Sequence, residues 1–206
     1  NRAMSGACGS ADVLEALGVK IELSPKSVEN CIDSVGFGFM FAQRYHPSMR
    51  YAAGPRKEIG IRNVFNILGP LTNPASANCY LMGVADITMA ERMAEVLNRL
   101  GTRHALVVHG MDGMDEITLS DVTHCWQMKE GVLSKFIISP EDLGIKRRSR
   151  DSIKVSNSVE SASLLRSVLE GKKGASRDVV LLNASAALLA ADAVTTFCLL
   201  YTSDAA

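Results

Sequence analysis

The residues of this sequence best placed to do chemistry lie in the stretch 111–120, which reads Met-Asp-Gly-Met-Asp-Glu-Ile-Thr-Leu-Ser. It follows the apolar run Ala105–Gly110, so it is predicted to be a loop at the C-terminal end of a buried strand, where open α/β sheets bind ligands. Asp115 and Glu116 are adjacent, and the loop holds no basic residue to neutralise them. Such a pair favours a cation; the alternative is two solvated turn acids.

The geometry of a strand limits how that pair can bind a metal ion. If Asp115 and Glu116 begin the next strand, their side chains point to opposite faces of the sheet. One ion would then rarely contact both carboxylates directly. A water-rich or two-ion Mg²⁺ arrangement that bridges to substrate phosphates is the better prediction.

Three further features are candidates for binding anions. The glycine- and serine-rich loop 1–10 leads into a predicted helix at Ala11–Leu17, so it is a potential phosphate site, although Ser10 could equally be a plain N-cap. Arg56 and Lys57 could clamp a carboxylate or phosphate, or could form a solvated helix entrance. The basic run 146–150 has no interleaved aromatic residues and is interpreted as a solvated loop.

The elements that position these residues follow an alternating pattern. Strands are predicted at 80–84 and 105–108, with an amphipathic helix at 87–100 between them, and 123–128 and 132–138 flank a hairpin turn. This βαβ order predicts an α/β fold with a parallel or mixed sheet covered by helices. Helices are also predicted over 57–68, 157–169 and 179–193, and 36–41 is either a strand or a close-packing segment. We expect one domain over 1–194 and a frayed or non-native tail over 195–206.

Composition excludes several classes of protein. The chain has 206 residues, 22 Lys and Arg and 22 Asp and Glu, and this zero net charge argues against a nucleic-acid or anionic-membrane surface as the main partner. Its 5 cysteines are scattered singly, which is typical of reduced thiols in the cytoplasm. The sequence contains no stretch of about 18 apolar residues that could cross a membrane, and it does not open with a signal peptide.

Four motifs in this order resemble the anthranilate phosphoribosyltransferase family. They are Asn-Arg-Ala-x-Ser at 1–5, Gly-Ser-Ala-Asp-Val-Leu-Glu-Ala-Leu-Gly at 9–18, Arg-Lys-Glu-Ile-Gly-Ile-Arg-Asn-Val-Phe-Asn-Ile-Leu-Gly-Pro-Leu-Thr-Asn-Pro at 56–74, and Gly-Met-Asp-Glu-Ile-Thr-Leu at 113–119. The resemblance extends from Asn1 to about Val194. It implies a mixed, largely parallel sheet flanked by helices, of the type that nucleoside phosphorylases share.

The resemblance also assigns roles to individual residues. Asp115 and Glu116 match the acidic pair that binds Mg²⁺, and Arg56 matches an arginine that meets the anthranilate side. Asn1 matches an asparagine that contacts anthranilate, and His46 and Pro70 match positions near the anthranilate channel. The residues that match the loop holding phosphoribosyl pyrophosphate are Asn1, Arg2, Ala3, Met4, Ser5, Gly6 and Ser10.

The implied reaction is transfer of a phosphoribosyl group from phosphoribosyl pyrophosphate to anthranilate in tryptophan biosynthesis, by a cytoplasmic, Mg²⁺-dependent homodimer. Parts of the family pattern are absent: the N-terminal helical dimerisation domain, the Gly-Thr-Gly-Gly-Asp segment, and the Lys-His-Gly before Asn1. We therefore expect a fragment that is inactive alone and is monomeric or prone to aggregate. The alternatives are a pyrimidine-nucleoside phosphorylase of the same fold and a non-catalytic truncated domain.

Overall fold

The structure is a computed structural model that describes residues 2, 8–49, 51, 54, 58 and 65–197. These residues fall into two compact units, the first drawn from 1–75 and 155–166 and the second from 76–154 and 167–206. In the described part of the chain, no helix is long and apolar enough to span a bilayer.

The first unit is helical in its described part. Its helices are α1 (Ser10–Ala16), α2 (Pro25–Val35), α3 (Ala42–Tyr45), α4 (Phe65–Leu71) and most of α6 (Ser158–Leu169). A small core joins Ala11, Ile21 and Phe41. The segment 36–41 is not a strand. It packs closely against α2, since a side chain at Gly38 would lie only 2.7 Å from Ile32 Cγ1.

The ends of these helices follow local sequence signals. Ser24 caps α2 by accepting a hydrogen bond from Ser27 N at 3.2 Å, and Gly36 ends the helix with a φ of +75°. Helix α4 runs through Leu71, past the end predicted at residue 68, and includes Pro70. The hydroxyl of Thr72 donates to the carbonyls of Leu68 and Gly69, so the final turn keeps hydrogen-bond partners despite the proline.

The second unit contains a four-stranded sheet in the order β1-β2-β3-β4. Its elements in chain order are β1 (Cys79–Gly83), α5 (Ile87–Arg99), β2 (His104–Gly110), β3 (Thr123–Lys129), β4 (Val132–Ile138), 3-10 turns at Pro140–Leu143 and Arg150–Ile153, and α7 (Ala175–Ala190). β1 and β2 are parallel, whereas the pairs β2–β3 and β3–β4 are antiparallel.

The prediction of a mixed sheet flanked by helices is confirmed, but the parallel share of the described sheet is smaller than expected. The hairpin turn between β3 and β4 accounts for one of the two antiparallel pairs. Glu130 and Gly131 both have positive φ, +49° and +83°. This matches the two-residue turn that best connects antiparallel strands.

Helices cover both faces of the sheet around the buried strand β2. Leu106 and Val108 belong to a core cluster with Leu182 and Ala186 of α7. The opposite face holds Val107, whose partners in register are Trp126 and, beyond it, Lys135. Lys135 forms an ion pair with Glu91 of α5 at 2.8 Å, so α5 lies on that face. Every residue of β2 is buried, as expected for a strand covered on both sides.

A polar cluster fixes the C-terminal end of α7 to the sheet. Asp192 accepts hydrogen bonds from Lys129 Nζ at 2.7 Å, from His104 Nδ1 at 3.0 Å and from Arg103. The bond from Lys129, followed by that from His104, lowers the pKa of Asp192 to about 2. Phe197 packs edge-on against Phe136, with ring centres 6.3 Å apart, so this residue of the predicted tail contacts the core.

Candidate active site

The acidic loop, residues 111–122 between β2 and β3, is folded tightly on its own backbone. Gly110 N donates to Met114 O at 2.8 Å, and Met111 N donates to Val122 O at 3.0 Å. Gly113 has a φ of +85°, a backbone conformation that residues other than glycine rarely adopt. The predicted loop at the end of a buried strand is confirmed. The next strand begins only at Thr123, so strand alternation does not apply to Asp115 and Glu116.

Asp112 organises the inside of this loop. Its carboxylate accepts hydrogen bonds from Thr118 Oγ1 at 2.8 Å, from Met114 N at 3.2 Å and from the Ser120 hydroxyl. Partial burial acts to raise the pKa of Asp112, but the bonds from Ser120 and Thr118 outweigh it and the pKa is lowered. Asp112 is therefore a charged structural centre, with its oxygens already occupied.

Gly83, the last residue of β1, lets that strand approach the acidic loop. A Cβ built at Gly83 would lie 1.6 Å from the backbone oxygen of Asp115. No side chain fits at this contact. The position of Asp115 is thus set by backbone meeting backbone across two elements.

Asn183, in the middle of α7, holds the other side of the acidic pair. Its Oδ1 accepts from Ile117 N at 2.9 Å, and its Nδ2 donates to Ile117 O at 2.9 Å. Ile117 is fully buried in the core cluster. The residue that directly follows Glu116 is therefore fixed by both its backbone and its side chain.

The two carboxylates of the acidic pair repel each other and are not balanced by a basic neighbour in the described residues. Asp115 and Glu116 are both exposed, and among the described residues no lysine or arginine forms an ion pair with either carboxylate. Partial loss of water around its carboxyl raises the pKa of Glu116, and the charge of Asp115 raises it further. A cation placed here would relieve that repulsion.

Within the described residues, no group of three or more His, Cys, Asp or Glu side chains could enclose a metal ion. Two carboxylates are nevertheless the donor type that Mg²⁺ prefers, because it usually keeps several waters and completes its shell with substrate phosphates. The residues present fit a water-rich magnesium site and not a closed protein cage.

Four other predicted site residues lie in the first unit. Arg2 forms ion pairs with Glu15 at 2.5 Å and Asp12 at 3.2 Å, and its guanidinium lies 5.6 Å from the Phe41 ring centre. Ser10 is the first residue of α1, and Gly9 is the N-cap. The plain N-cap interpretation of Ser10 is therefore wrong, since Gly9 already adopts the extended capping conformation.

His46 and Pro70 both lie at helix ends. His46 caps the C-terminus of α3, its backbone N donating to Ala42 O at 2.8 Å. Pro70 is exposed in the last turn of α4. The remaining predicted substrate-binding residues lie outside the described residues: Asn1, Ala3, Met4, Ser5, Gly6 and Arg56.

Sequence reasoning missed three residues that shape the acidic loop. Asp112 was part of the recognised stretch, but its spacing from Thr118 and Ser120 did not reveal that it binds them. A single Asn183 in the otherwise apolar and small-residue run 179–190 was a detectable signal, because asparagine is unfavourable in helix interiors. Gly83 gave no signal beyond being a glycine at the end of a strand.

Comparison with known proteins places the chain in a family. The a/b domain of a glycosyl transferase family matches residues 1–199. The chain belongs to this glycosyl transferase family.

Several relatives of this glycosyl transferase domain have names that state an activity. The anthranilate phosphoribosyltransferases of Pelobacter propionicus and Symbiobacterium thermophilum are each 53% identical to it over 196 residues, or 95% of this chain. The crystal structure of anthranilate phosphoribosyltransferase from Thermus thermophilus matches with a TM-score of 0.90 at 42% identity over 97% of the chain. The Saccharomyces cerevisiae enzyme in complex with PRPP and Mg matches with a TM-score of 0.86 at 25% identity over 93% of the chain.

This domain does not span the full length of those relatives. It covers 56% and 58% of the two bacterial sequences, and 59% and 56% of the Thermus and yeast chains. The α/β fold predicted from the sequence is confirmed by these structural matches.

Proposed function

We propose that this chain is the catalytic α/β part of an anthranilate phosphoribosyltransferase, with residues 1–194 as its domain and 195–206 as a tail whose Phe197 packs against that domain. It would transfer the 5-phosphoribosyl group from phosphoribosyl pyrophosphate to anthranilate and release pyrophosphate. The observation that carries this proposal is the uncompensated acidic pair at the end of β2, in a domain whose relatives bear that name.

In this proposal Asp115 and Glu116 are the protein ligands of Mg²⁺. When bound, Mg²⁺ would neutralise the negative charge that builds on the leaving pyrophosphate. The two side chains supply hard oxygen donors whose mutual repulsion is already present in the folded chain. Gly83, Asp112 and Asn183 hold the loop in shape before any ligand arrives, so little reorganisation is required on binding.

The reaction itself needs positioning more than proton transfer. The amine nitrogen of anthranilate bonds to C1 of the ribose while the bond from C1 to the pyrophosphate oxygen breaks, and the nitrogen then loses its extra proton. An aromatic amine is nucleophilic without prior deprotonation. The chain therefore needs to align two substrates and stabilise charge.

We assign the substrate contacts as the resemblance implies. Arg56 meets the anthranilate side together with Asn1, and His46 and Pro70 lie near the same channel. The loop with Arg2, the residues 3–6 and Ser10 holds phosphoribosyl pyrophosphate. Arg2 is engaged by Asp12 and Glu15, so it would have to exchange these carboxylates for a phosphate. We also propose that the whole enzyme is a cytoplasmic homodimer.

The proposal is tested with the complete gene product in a fluorescence assay for phosphoribosyl anthranilate. Turnover should require anthranilate, phosphoribosyl pyrophosphate and Mg²⁺. Arg56→Lys keeps the charge but loses the planar donor fork, so the KM for anthranilate should rise more than that for phosphoribosyl pyrophosphate. Turnover with phosphate and a pyrimidine nucleoside, without turnover of anthranilate, would assign the chain to a nucleoside phosphorylase instead.

A further inference from the structure

The side-chain amide of Asn183 pairs with the backbone of the residue after the acidic pair. Its Oδ1 lies 2.9 Å from Ile117 N, and its Nδ2 lies 2.9 Å from Ile117 O and 3.0 Å from Val179 O. Both protons of the amide nitrogen and one lone pair of the oxygen are therefore used. The amide reproduces the donor and acceptor pair that a neighbouring β-strand would offer to Ile117.

The bond to Val179 fixes the orientation of the amide. Val179 lies one helical turn before Asn183, so this bond holds the Nδ2 group against the helix while leaving Oδ1 aimed at Ile117 N. Swapping the oxygen and nitrogen would place the amide oxygen against two carbonyl oxygens. The orientation is thus decided by three partners and not by one.

The helix that carries Asn183 is itself held in place. Leu182, Ala186 and Ala190 of α7 are buried in the core cluster that contains Ile117. Asp192, just beyond the helix, is bonded to Lys129, His104 and Arg103. Asn183 therefore presents its amide from a rigid support, which is the requirement for holding a loop within a fraction of an ångström.

Glu116 is separated from Ile117 by a single peptide bond, so a shift of Ile117 moves it directly. We propose that Asn183 is a positioning residue for the acidic pair: through the backbone of Ile117, its amide sets where Glu116 presents its carboxylate to a divalent cation. Asn183 does not touch the cation. This inference rests on the metal role of the pair under the proposed function.

Amide hydrogen exchange tests the clamp without any metal. Asn183→Ala removes the acceptor of Ile117 N, so exchange at the Ile117 amide should be faster by about tenfold. Ser185→Ala is the matched control, because the Ser185 hydroxyl is buried on the same helix but donates to Leu182 O at 2.9 Å and not to the loop. Unchanged exchange at Ile117 in Asn183→Ala would overturn the inference.

Mn²⁺ binding followed by electron paramagnetic resonance tests the consequence for the metal, with the complete gene product and inorganic pyrophosphate present. Residues that orient metal ligands typically affect affinity by about 10- to 100-fold. Asn183→Ala should weaken Mn²⁺ binding by about tenfold and raise the Mg²⁺ requirement of the reaction, while the KM for anthranilate stays nearly constant. Ser185→Ala should match the wild type in all three.

The outcomes distinguish a failure of the positioning role of Asn183 from a failure of the proposed metal site. If the wild type binds Mn²⁺, the Asp115→Asn/Glu116→Gln variant does not, and Asn183→Ala binds as the wild type does, the positioning role is wrong and the metal site stands. If the double variant binds Mn²⁺ as well as the wild type, or if the wild type binds none, the metal site under the proposed function fails and the inference fails with it.

Discussion

The second unit contains two pairs of consecutive acidic residues, at 115–116 and 141–142, and their environments are opposite. Glu141 and Asp142 are exposed, like Asp115 and Glu116, but their oxygens are occupied. Arg147 donates to Glu141 through Nε at 3.0 Å and Nη2 at 3.3 Å, and Ser139 N donates to Asp142 Oδ2 at 3.1 Å. The bonds from Arg147, with that from the Ser139 hydroxyl, lower the pKa of Glu141 to about 2.

The neighbouring residues, and not the residue types, decide what an acidic pair does. At 141–142 the protein supplies the donors, so the pair shapes a turn and the charge of Glu141 is already balanced by Arg147. At 115–116 the pKa of Glu116 is raised and no described basic residue forms an ion pair with it. The pair at 115–116 therefore carries charge that an external cation can neutralise.

The largest effect should come from removing the charges of the pair at 115–116. Asp115→Asn/Glu116→Gln should lower kcat by about 100-fold or more and weaken the dependence on Mg²⁺, because stabilisation of transition-state charge is lost. The KM for anthranilate should change little. Steady-state rates at varied Mg²⁺ give all three quantities.

The matched control for that experiment is Glu141→Gln/Asp142→Asn, which removes the same two charges elsewhere in the unit. Its kcat should stay within about threefold of the wild type, since surface charges away from the chemistry have small effects. Equal losses in both double variants would erase the distinction between the pairs. A double amide at 115–116 with unchanged Mg²⁺ dependence would return those residues to solvated turn acids.

An intermediate effect is expected from the contact that sets the position of Asp115. Gly83→Ala would place a Cβ only 1.6 Å from the backbone oxygen of Asp115, so either β1 or the acidic loop must move. Overpacking of this kind costs about 1–3 kcal/mol, and Tm should fall by several degrees. Calorimetry should also find weaker Mn²⁺ binding.

Gly69→Ala is the control for the fall in Tm, because a Cβ there meets no atom within 4 Å. It should leave Tm within about 1–2 °C of the wild type, or raise it slightly through its helical position. A Gly83→Ala protein as stable as this control would contradict the close approach of β1 to the loop.

The smallest effects concern pH. The pKa of Glu141 is depressed from 4.5 to about 2, so its ion pair stabilises the fold above pH 4.5 and is lost as pH falls through 2. The pKa of Glu116 is raised above 4.5, so its charge destabilises the fold at neutral pH and protonation relieves this. In the absence of divalent cations, Glu116→Gln should raise Tm at neutral pH and Glu141→Gln should lower it.

Thermal scans at two pH values separate these opposite signs. At about pH 3.5 the gain from Glu116→Gln should have vanished, whereas part of the loss from Glu141→Gln should remain. Each change in Tm should be small, since both side chains are exposed and water screens their charges. Adding Mg²⁺ at neutral pH should reverse the sign for Glu116→Gln only, and the same sign in both variants would refute the comparison.

The sequence alone determined the local parts of the site. The apolar run 105–110 followed by glycines and acids identified β2 and the loop after it, because a strand covered on both faces needs a continuous apolar run. The residues Lys129-Glu130-Gly131 marked the hairpin between β3 and β4. These features depend on neighbours along the chain, so local propensity was enough to find them.

Only the tertiary structure decided how the acidic pair is held and how its charge behaves. Asn183 meets Ile117 across 66 positions of sequence, and Gly83 approaches Asp115 from another strand. The pKa of Glu141 is lowered because Arg147 and the Ser139 hydroxyl donate to its carboxylate. The pKa of Glu116 is raised because water is partly excluded around its carboxyl and the charge of Asp115 lies beside it. Contacts of this kind exist only once the helices have packed on the sheet, and Coulomb and desolvation effects act over distances in space and not along the sequence.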